Sequence, residues 1–339
     1  MSRGFESATG NNLTEPFDLN RMRLPTRRTF LQQFTALTTV GLVANGIQNA
    51  LATALAEPHL SFPTAPRDRI ALASYPFRAY IESPTNPDRN PSLPGMELTE
   101  FVSQIGTKFN VHNIEPHYRH FRSLAAADLA RLRAVLGKAN VKVVNIAVGG
   151  EASFYDRDPS ARQEAVAFAK KWVDVAVAIG SPSIRVHIHR ASNSTPNVER
   201  TADSLREVTE YAAGNDIVVN LENDDLVSED AFFLVKVIEA VDSPFLHALP
   251  DFANSMLSGD ADFNYRALAA MFRHAYGICH VKSGEVDDQG KQFNIDLKKS
   301  FDILKSSGYR GYCSMEFDAP GDPYGPTAQL VEQTIRYLS

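Results

Sequence analysis

Three carboxylates and one histidine recur at similar intervals in the second half of the chain: Glu222, Asp251, His280 and Glu316. The intervals are 29, 29 and 36 residues, and each one has room for a helix and a strand. Carboxylates that converge in apolar surroundings repel one another and are costly to bury, and a divalent cation removes both penalties. Each residue alone is typical of a surface group or a helix cap, whereas the four together predict a metal site.

The predicted ligand set has three oxygen donors and one nitrogen donor. Such a set suits one hard or borderline divalent ion with five or six ligands, so we expect Mn²⁺, with Mg²⁺, Co²⁺ or Zn²⁺ as alternatives. The absence of thiolate from the set disfavours a structural zinc site. The two cysteines, Cys279 and Cys313, lie in short apolar runs and are expected to be small core residues. A disulfide between them is the alternative in an oxidising compartment.

Short apolar, β-branched runs alternate with segments of helical period from residue 68 onward. The predicted strands cover residues 70–77, 109–117, 141–149, 183–189, 217–222, 246–251, 277–282 and 312–317. The predicted helices lie near residues 97–108, 123–139, 159–179, 198–214, 228–241, 261–274, 294–307 and 326–338. The four candidate ligands therefore fall at or near the ends of the last four strands.

Eight strand–helix units in residues 68–339 predict an α/β fold, the (β/α)8 TIM barrel. The fifth strand is apolar along most of its length, which suits a parallel sheet buried on both faces. An open doubly wound sheet is the alternative, but Pro76-Phe77-Arg78 follows the first strand where that fold usually has a glycine-rich turn. A TIM barrel carries its chemistry at the carboxyl ends of the strands, where the candidate ligands fall.

Local signals support several helix boundaries. Asp158-Pro159 precedes the third helix and Gly180 follows it as a C-terminal stop. Ser228-Glu229-Asp230 predicts a helix start with Ser228 as the capping hydroxyl and two acids in the first turn. Gly308 is expected to close the seventh helix.

The strand-end motifs are Leu-Glu-Asn on the fifth strand, Asp-x-x-Asn on the sixth, His-Val-Lys on the seventh and Ser-x-Glu on the eighth. This pattern resembles the xylose isomerase-like TIM-barrel superfamily of sugar phosphate isomerases, ketose 3-epimerases, inosose dehydratases and the apurinic-site endonuclease. The resemblance implies that Glu222, Asp251, His280 and Glu316 bind the metal. It also implies that Glu222 and Glu316 act as acid and base on opposite faces of a sugar.

Such a site predicts a defined chemistry. The metal polarises a carbonyl and an adjacent hydroxyl, the C–H between them becomes acidic, and proton transfer gives an enediolate on the cation. Two departures from the epimerase pattern indicate different substrate contacts. Asn254 stands where a histidine is common, and Lys282 to Glu285 occupy the region where an arginine is usual. The Asp-x-His motif of the endonuclease is missing on the seventh strand, which disfavours that branch.

Further polar residues near strand ends are expected to bind the substrate: Glu115, His117, His187, His189, Asn254 and Lys282. For His187 and His189 the alternatives are polar filling of the barrel lumen and help in binding a second metal. Lys282 is expected to stabilise a developing oxyanion, and a buried ion pair with Glu115 is the alternative. Arg185 and Arg78 are secondary candidates.

The N-terminal segment around Arg27-Arg28-Thr29-Phe30-Leu31 resembles a twin-arginine export signal. No charge occurs from residue 29 to 56, and the run is less apolar than a membrane anchor needs. Small residues predict cleavage near Ala54 or Ala56. We therefore expect a signal peptide and leader over residues 1–56, a linker over 57–67, a barrel over 68–339, and delivery to the periplasm by the twin-arginine machinery. An N-terminal amphipathic helix after a disordered tail is the alternative.

The net charge is −6 and no dense block of Lys and Arg occurs, which disfavours a nucleic-acid partner. We expect a metal-dependent sugar isomerase or epimerase that acts on a small sugar or sugar derivative by proton transfer next to a carbonyl. The first alternative is a lyase or dehydratase that acts on an oxidised (keto) sugar or glycoside through the same carbanion. The second is a sugar-binding protein, which would need no opposed carboxylates. No pattern in the sequence predicts an oligomeric state.

Overall fold

The structure, a computed structural model, describes residues 57–339. The strands are β1 (Ile70–Ala73), β2 (Asn113–Glu115), β3 (Lys142–Val143), β4 (Ile146–Val148), β5 (Ser183–Val186), β6 (Val218–Glu222), β7 (Leu246–Leu249), β8 (Ile278–Val281), β9 (Gly284–Val286), β10 (Gln292–Asn294) and β11 (Tyr312–Met315). The helices are α1 (Leu98–Phe109), α2 (Ala126–Ala139), α3 (Pro159–Ile179), α4 (Val198–Ala213), α5 (Ala231–Val241), α6 (Ala261–Phe272), α7 (Leu297–Ser306) and α8 (Tyr324–Leu338). The predicted signal peptide and leader lie outside the described residues.

The barrel strands pair in parallel in two arcs, β3-β2-β1-β11-β8 and β4-β5-β6-β7. Isolated parallel bridges join the arcs: His117 to Ala147 on one side, and Ala248 to Ala275 and Asp251 to His280 on the other. β3 and β4 are two halves of the third barrel strand, so β6, β7, β8 and β11 are its fifth to eighth strands. The closed ring of eight parallel strands with alternating helices confirms the predicted (β/α)8 barrel.

The pattern of buried residues differs between the strands and the helices. All four residues of β1 are buried, as a strand between lumen and helices requires. In α1 the buried residues recur every three or four positions, which places one helix face on the sheet: Leu98, Phe101, Val102, Ile105 and Phe109. The apolar core therefore lies between the strands and the helix ring.

The lumen contains a polar network at the break between β3 and β4. Asn145 Nδ2 donates to Glu115 Oε1 at 2.6 Å, and Asn145 Oδ1 accepts from Ser183 Oγ at 2.6 Å and from Asn220 Nδ2 at 3.2 Å. All four residues are buried. Because buried polar groups need partners, this network holds the Glu115 carboxylate in one position inside the barrel.

The eight predicted helices are confirmed, each to within three residues at either end. The second predicted strand began too early, because Phe109 ends α1, Asn110 takes a left-handed conformation, and pairing begins at Asn113. The prediction also missed the antiparallel pair β9–β10 after β8. There Gly284 has a structural role, since a Cβ at this position would lie 2.5 Å from the carbonyl oxygen of Phe293.

Helix ends confirm some of the predicted caps and correct one. Asp158 accepts from Ser160 N at 2.9 Å at the start of α3, and Gly180 ends that helix at φ +82°. The prediction for Ser228 was wrong. The cap of α5 is Asp230, which accepts from the amides of Phe232 and Phe233, because the helix begins at Ala231. Ser228 lies before it, in a turn, and donates to Asp225.

Cys279 and Cys313 are register partners on β8 and β11, with their Sγ atoms 3.7 Å apart. Both are fully buried free thiols, so the prediction of small core residues is confirmed and the disulfide alternative is not found. In residues 57–339, no helix combines the length and apolar character that a membrane crossing requires.

Candidate metal centre

The four predicted metal ligands lie together at the carboxyl ends of the barrel strands. Glu222 is the last residue of β6, Asp251 follows β7 by two residues, His280 is in β8, and Glu316 follows β11 directly. One ligand atom from each residue lies within 4.8 Å of the other three, and all four residues are buried. Strand ends of a closed parallel barrel meet at one mouth, which explains why residues so far apart in sequence converge.

The two ring nitrogens of His280 have different partners. Nδ1 lies 2.7 Å from Glu222 Oε1, 3.1 Å from Glu316 Oε2 and 3.9 Å from Asp251 Oδ2. Nε2 lies 2.8 Å from Glu115 Oε2. Metal-binding histidines commonly donate their second ring N–H to a carboxylate, which fixes the tautomer. With a cation bound, Glu115 would hold the tautomer in which the Nδ1 lone pair faces the other candidate ligands.

The surroundings of Asp251 give the clearest indication that the four candidate ligands could hold a cation. Its Oδ1 accepts from the amides of Ala253 and Asn254 at 2.8 and 2.7 Å. Its Oδ2 is buried and has no hydrogen-bond partner among the described residues. Burial, followed by the charges of Glu222 and Glu316, raises the pKa of Asp251 to about 7 against the opposing charge of Lys282. A buried carboxylate oxygen that accepts no hydrogen bond, beside two other carboxylates and an imidazole, fits a divalent cation.

Two cations contact the ligand carboxylates from the cavity side. Lys282 Nζ lies 3.2 Å from Glu316 Oε2 and 3.7 Å from Asp251 Oδ2. Arg185 Nε lies 2.8 Å from Glu222 Oε2. These pairs show that the predicted alternative, a Lys282–Glu115 ion pair, was wrong, because Glu115 lies on the far side of His280 and pairs with its ring instead.

A cavity of about 880 Å³ opens above the four ligands. Its lining includes several of the predicted substrate-binding residues: His117, His187, His189, Asn254 and Lys282. The volume lies in the range of small-molecule sites, and the charged and imidazole side chains of the lining suit a ligand rich in hydroxyl groups. Glu222 and Glu316 also line the cavity, so both carboxylates face the space in which a ligand would lie.

Glu115 has a different position from the one expected. It is 1% exposed and is not among the residues that line the cavity. Its Oε2 lies 2.8 Å from His280 Nε2, the ring nitrogen opposite the one that the other candidate ligands approach. This placement favours support of His280 over direct contact with a sugar.

Asn254, which stands where epimerases commonly have a histidine, lines the cavity and contacts both Glu222 and Lys282. Its Nδ2 lies 3.3 Å from Glu222 Oε1, and its Oδ1 accepts from Lys282 Nζ at 2.7 Å. Lys282 also contacts Glu285 Oε2 at 3.1 Å, on the β9 strand that the sequence analysis missed. Asn254 therefore positions Lys282 and Glu222 relative to each other.

Two acids near the cavity, Asp224 and Glu229, were not predicted as site residues from the sequence. Glu229 Oε2 lies 2.8 Å from His187 Nδ1, and Asp224 Oδ2 lies 3.4 Å from the same atom. Asp224 follows Glu222 by two residues, a spacing that offered a signal. Glu229 was expected in the first turn of a helix, but α5 begins two residues later and leaves Glu229 buried under His187.

Comparisons with known proteins agree with this architecture. Residues 100–339 match the family described as xylose isomerase-like TIM barrel. A comparison with curated protein sequences finds no match. Among solved structures, D-allulose 3-epimerase from Methylomonas sp. is similar with a TM-score of 0.61 and 14% identity, over 82% of this chain and 100% of the other.

Two further structures have the same fold. A xylose isomerase-like TIM-barrel protein from Mycobacterium smegmatis in complex with magnesium has a TM-score of 0.60 and 16% identity, over 79% of this chain and 96% of the other. 3-Keto-D-glucoside 4-epimerase from E. coli has a TM-score of 0.56 and 16% identity, over 78% of this chain and 98% of the other. Identities this low show a shared fold. The family match, however, spans well over half of the sequence, and the chain therefore belongs to the xylose isomerase-like TIM-barrel family.

Proposed function

We propose that the protein is a metal-dependent sugar isomerase or epimerase that moves a proton next to a carbonyl group. The observation that carries this proposal is the position of Glu222 and Glu316. The two carboxylates approach the same imidazole nitrogen of His280 from different strands, at 2.7 and 3.1 Å, and both line the cavity. A protein that only binds sugars needs no such opposed pair of carboxylates beside a metal site.

Glu222, Asp251, His280 and Glu316 would hold the ion, which we expect to be Mn²⁺. When bound, a divalent cation polarises a carbonyl and the adjacent hydroxyl and makes the intervening C–H acidic. The structure of the Mycobacterium smegmatis neighbour in complex with magnesium supports a hard cation in this fold. Glu115 contributes by holding Nε2 of His280 at 2.8 Å, so that Nδ1 stays available as a ligand.

The chain's own residues move the proton. One glutamate removes it from the carbon beside the carbonyl, and the electron pair passes to the oxygen to give an enediolate. The second glutamate returns a proton from the opposite face, which inverts the carbon. Alternatively, the first glutamate returns it to the former carbonyl carbon while the proton of the adjacent hydroxyl passes to the former carbonyl oxygen, which isomerises the sugar. Burial opposes ionisation of Glu316, but the charges of His280 and Lys282 outweigh it and lower its pKa, which favours the ionised carboxylate that a base needs.

The substrate class follows from the cavity. Its volume of about 880 Å³ accommodates a monosaccharide or a simple glycoside. Two proteins of similar fold are a D-allulose 3-epimerase and a 3-keto-D-glucoside 4-epimerase. This similarity supports a ketose or a keto-glycoside as the substrate. Lys282 is placed to stabilise negative charge on a substrate oxygen, since its ammonium lies 3.2 Å from Glu316.

The test combines metal analysis with solvent exchange. Purified protein would be stripped with a chelator, reloaded with Mn²⁺ and incubated in D₂O with D-fructose, D-allulose and methyl 3-keto-β-D-glucopyranoside. We expect one ion per chain and deuterium at the carbon next to the carbonyl of at least one sugar, both lost on chelation. Binding of a sugar without exchange would indicate a binding protein, and exchange that survives chelation would reject the metal-dependent mechanism.

We also propose that residues 1–56 export the protein by the twin-arginine route, with cleavage near Ala54 or Ala56. The support is the Arg27-Arg28 pair and the uncharged run that follows it. A double Arg27→Lys, Arg28→Lys variant should remain in the cytoplasm while the unaltered chain reaches the periplasm. Fractionation with immunodetection measures this, and a variant that still reached the periplasm would reject the signal.

A further inference from the structure

His187 and Glu229 form a carboxylate–imidazole pair in the same cavity, but outside the metal-ligand set. Glu229 is fully buried, and its Oε1 accepts from the backbone amide of Ile188 at 2.7 Å. Its Oε2 lies 2.8 Å from His187 Nδ1. A buried carboxylate anchored by a backbone amide gives the imidazole a fixed orientation, as a carboxylate does for the histidine of a hydrolase triad.

The orientation of His187 leaves one nitrogen for a bound molecule. Both of its carboxylate contacts, with Glu229 and with Asp224, are made through Nδ1. The ring lines the cavity, and its side chain is 23% exposed. Nε2 is therefore the nitrogen that His187 offers to a ligand.

The groups around His187 keep it protonated. Burial alone would lower its pKa, but the charges and hydrogen bonds of Glu229 and Asp224 outweigh burial and raise the pKa to about 10. Arg185 lies on the far side of Asp224 at 3.9 Å, and the His189 ring lies 6.0 Å from the His187 ring. The contact of Nδ1 with Glu229 thus favours a protonated His187, a proton donor that is distinct from Glu222 and Glu316.

We propose that His187 donates a proton from Nε2 to a leaving oxygen of the substrate, which makes the site a lyase for keto sugars that carry an alkoxy group at the β carbon. This inference rests on the proposed function, because it uses the same enediolate. An isomerase or epimerase needs proton exchange only next to the carbonyl. A third, separate acid has a use when a C–O bond must break.

The elimination balances without an oxidant or a reductant. Glu222 or Glu316 removes the proton from the carbon next to the carbonyl, and the C–H electron pair passes into the enediolate. That pair returns as a C=C bond while the C–O bond at the β carbon breaks. The departing oxygen takes the proton of His187 Nε2. The products are an unsaturated keto sugar and an alcohol, and the proton on the glutamate passes through solvent back to His187.

Other residues of the cavity are less suited to this role. The Lys282 ammonium already has partners in Asn254, Glu285 and Glu316. Among residues 57–339, His189 forms no ion pair with a buried carboxylate comparable to that of His187 with Glu229. The His187, Asp224 and Glu229 group also has the composition of a metal site, but the Arg185 guanidinium beside Asp224 opposes a second cation there.

Two leaving groups test the assignment with the full chain loaded with Mn²⁺. The probes are methyl and 4-nitrophenyl 3-keto-β-D-glucopyranoside. Methoxide is a strong base and leaves only with a proton, whereas 4-nitrophenolate leaves without one. We expect the unaltered protein to release both alcohols. His187→Gln should slow release of methanol at least about 100-fold more than release of 4-nitrophenol. Glu229→Gln should shift the ratio in the same direction, which provides a second variant if His187→Gln does not fold.

The matched control is His274→Gln, which changes a histidine that pairs with Glu239 and does not line the cavity. Its ratio of the two release rates should equal that of the unaltered protein. Equal slowing of both probes in His187→Gln and Glu229→Gln, or none, would overturn the inference. Two metal ions per chain, falling to one in His187→Gln, would overturn it in favour of a second metal site.

The outcomes also separate this inference from the proposed function. Deuterium exchange next to the carbonyl without release of either alcohol would overturn the lyase assignment and leave the isomerase or epimerase standing. Absence of both exchange and release on all sugars would overturn both.

Discussion

Glu115 Oε2 lies 2.8 Å from His280 Nε2, and the opposite oxygen of the same carboxylate accepts from Asn145 at 2.6 Å. A buried chain of contacts thus runs from the polar lumen of the barrel to the ring that faces the candidate metal ion. Polar residues inside the barrel therefore orient His280, a candidate metal ligand, and would set its tautomer when a metal is bound. The first prediction follows from this contact.

Glu115→Gln should weaken metal binding by about 10–100-fold, because the loss of the charge frees His280 to place its proton on Nδ1, where the ion must bind. Calorimetric titration of chelator-stripped protein with Mn²⁺ measures the affinity. Glu239→Gln is the control, since Glu239 is 59% exposed and contacts only the surface residue His274 among the residues described. An unchanged affinity in Glu115→Gln would show that the tautomer of His280 is set by other groups.

Asp251→Asn should make the metal-free protein more stable and remove its response to metal. The pKa of Asp251 is raised from 3.8 to about 7, so in the absence of metal its contribution to stability is present below pH 3.8 and is lost as the pH rises to about 7. Asparagine removes the repulsion with Glu222 and Glu316, and we expect a gain on the order of 1 kcal/mol at pH 8.

Metal binding should make the unaltered protein more stable than Asp251→Asn, the reverse of the order without metal. At a concentration of 100 times Kd, the ion should stabilise the unaltered protein by about 2.7 kcal/mol and leave Asp251→Asn unchanged. Urea unfolding with and without Mn²⁺ measures both effects. A variant that is less stable without metal would mean that the pairing of Asp251 with Lys282 outweighs the repulsion among the carboxylates.

Glu316→Gln should keep the fold and reduce deuterium exchange by at least about 100-fold, because an amide oxygen can still bind the ion but the amide cannot accept the substrate proton. Exchange by NMR in D₂O and a far-UV circular dichroism spectrum measure the two properties. Glu332→Gln, at an exposed pair with Arg67, is the matched control. If Glu316→Gln exchanged normally, Glu222 would be the base that removes the proton.

The fold could be predicted from the sequence because the patterns that specify its strands and helices are local. Apolar runs of strand length alternate with helical periods, and glycines such as Gly180 mark the ends. The four candidate ligands could be predicted because closure of the barrel brings the strand ends together. The position of Glu222 or His280 along its strand is therefore enough to predict that it lies at the barrel mouth.

The missed features depend on contacts that are distant in sequence. The burial of Glu229 depends on His187, 42 residues away, and on where α5 begins. The position of Glu115 depends on its contact with His280, 165 residues away in sequence, which no local pattern encodes. The β9–β10 pair depends on the close approach of Gly284 to Phe293. Motif and period therefore predicted the cluster of candidate metal ligands but not Asp224 and Glu229 beside His187.

His120 should make the protein lose stability as the pH falls. It is 1% exposed, its Nδ1 lies 2.7 Å from Ser74 Oγ, and its Nε2 has no hydrogen-bond partner in the described part of the chain. Burial, and then the charge of Arg78, lowers its pKa from 6.5 to about 3. Between these values the unfolded chain binds a proton that the folded protein does not. The contribution of His120 is therefore full above pH 6.5 and decreases toward pH 3, by at most about 1.4 kcal/mol per pH unit.

His120→Gln removes this titration, so the free energy of unfolding should depend less steeply on pH in the variant, by up to about 1.4 kcal/mol per unit between pH 7 and 5. Urea unfolding across this range gives the slope for each protein. His112→Gln is the control, because it makes the same substitution at an exposed histidine on the loop before β2. If His120→Gln showed the same slope as the unaltered protein, His120 would have to accept its proton in the folded state. The buried Nε2 would then need a water or a local opening of the loop after β2 to make room for the charge.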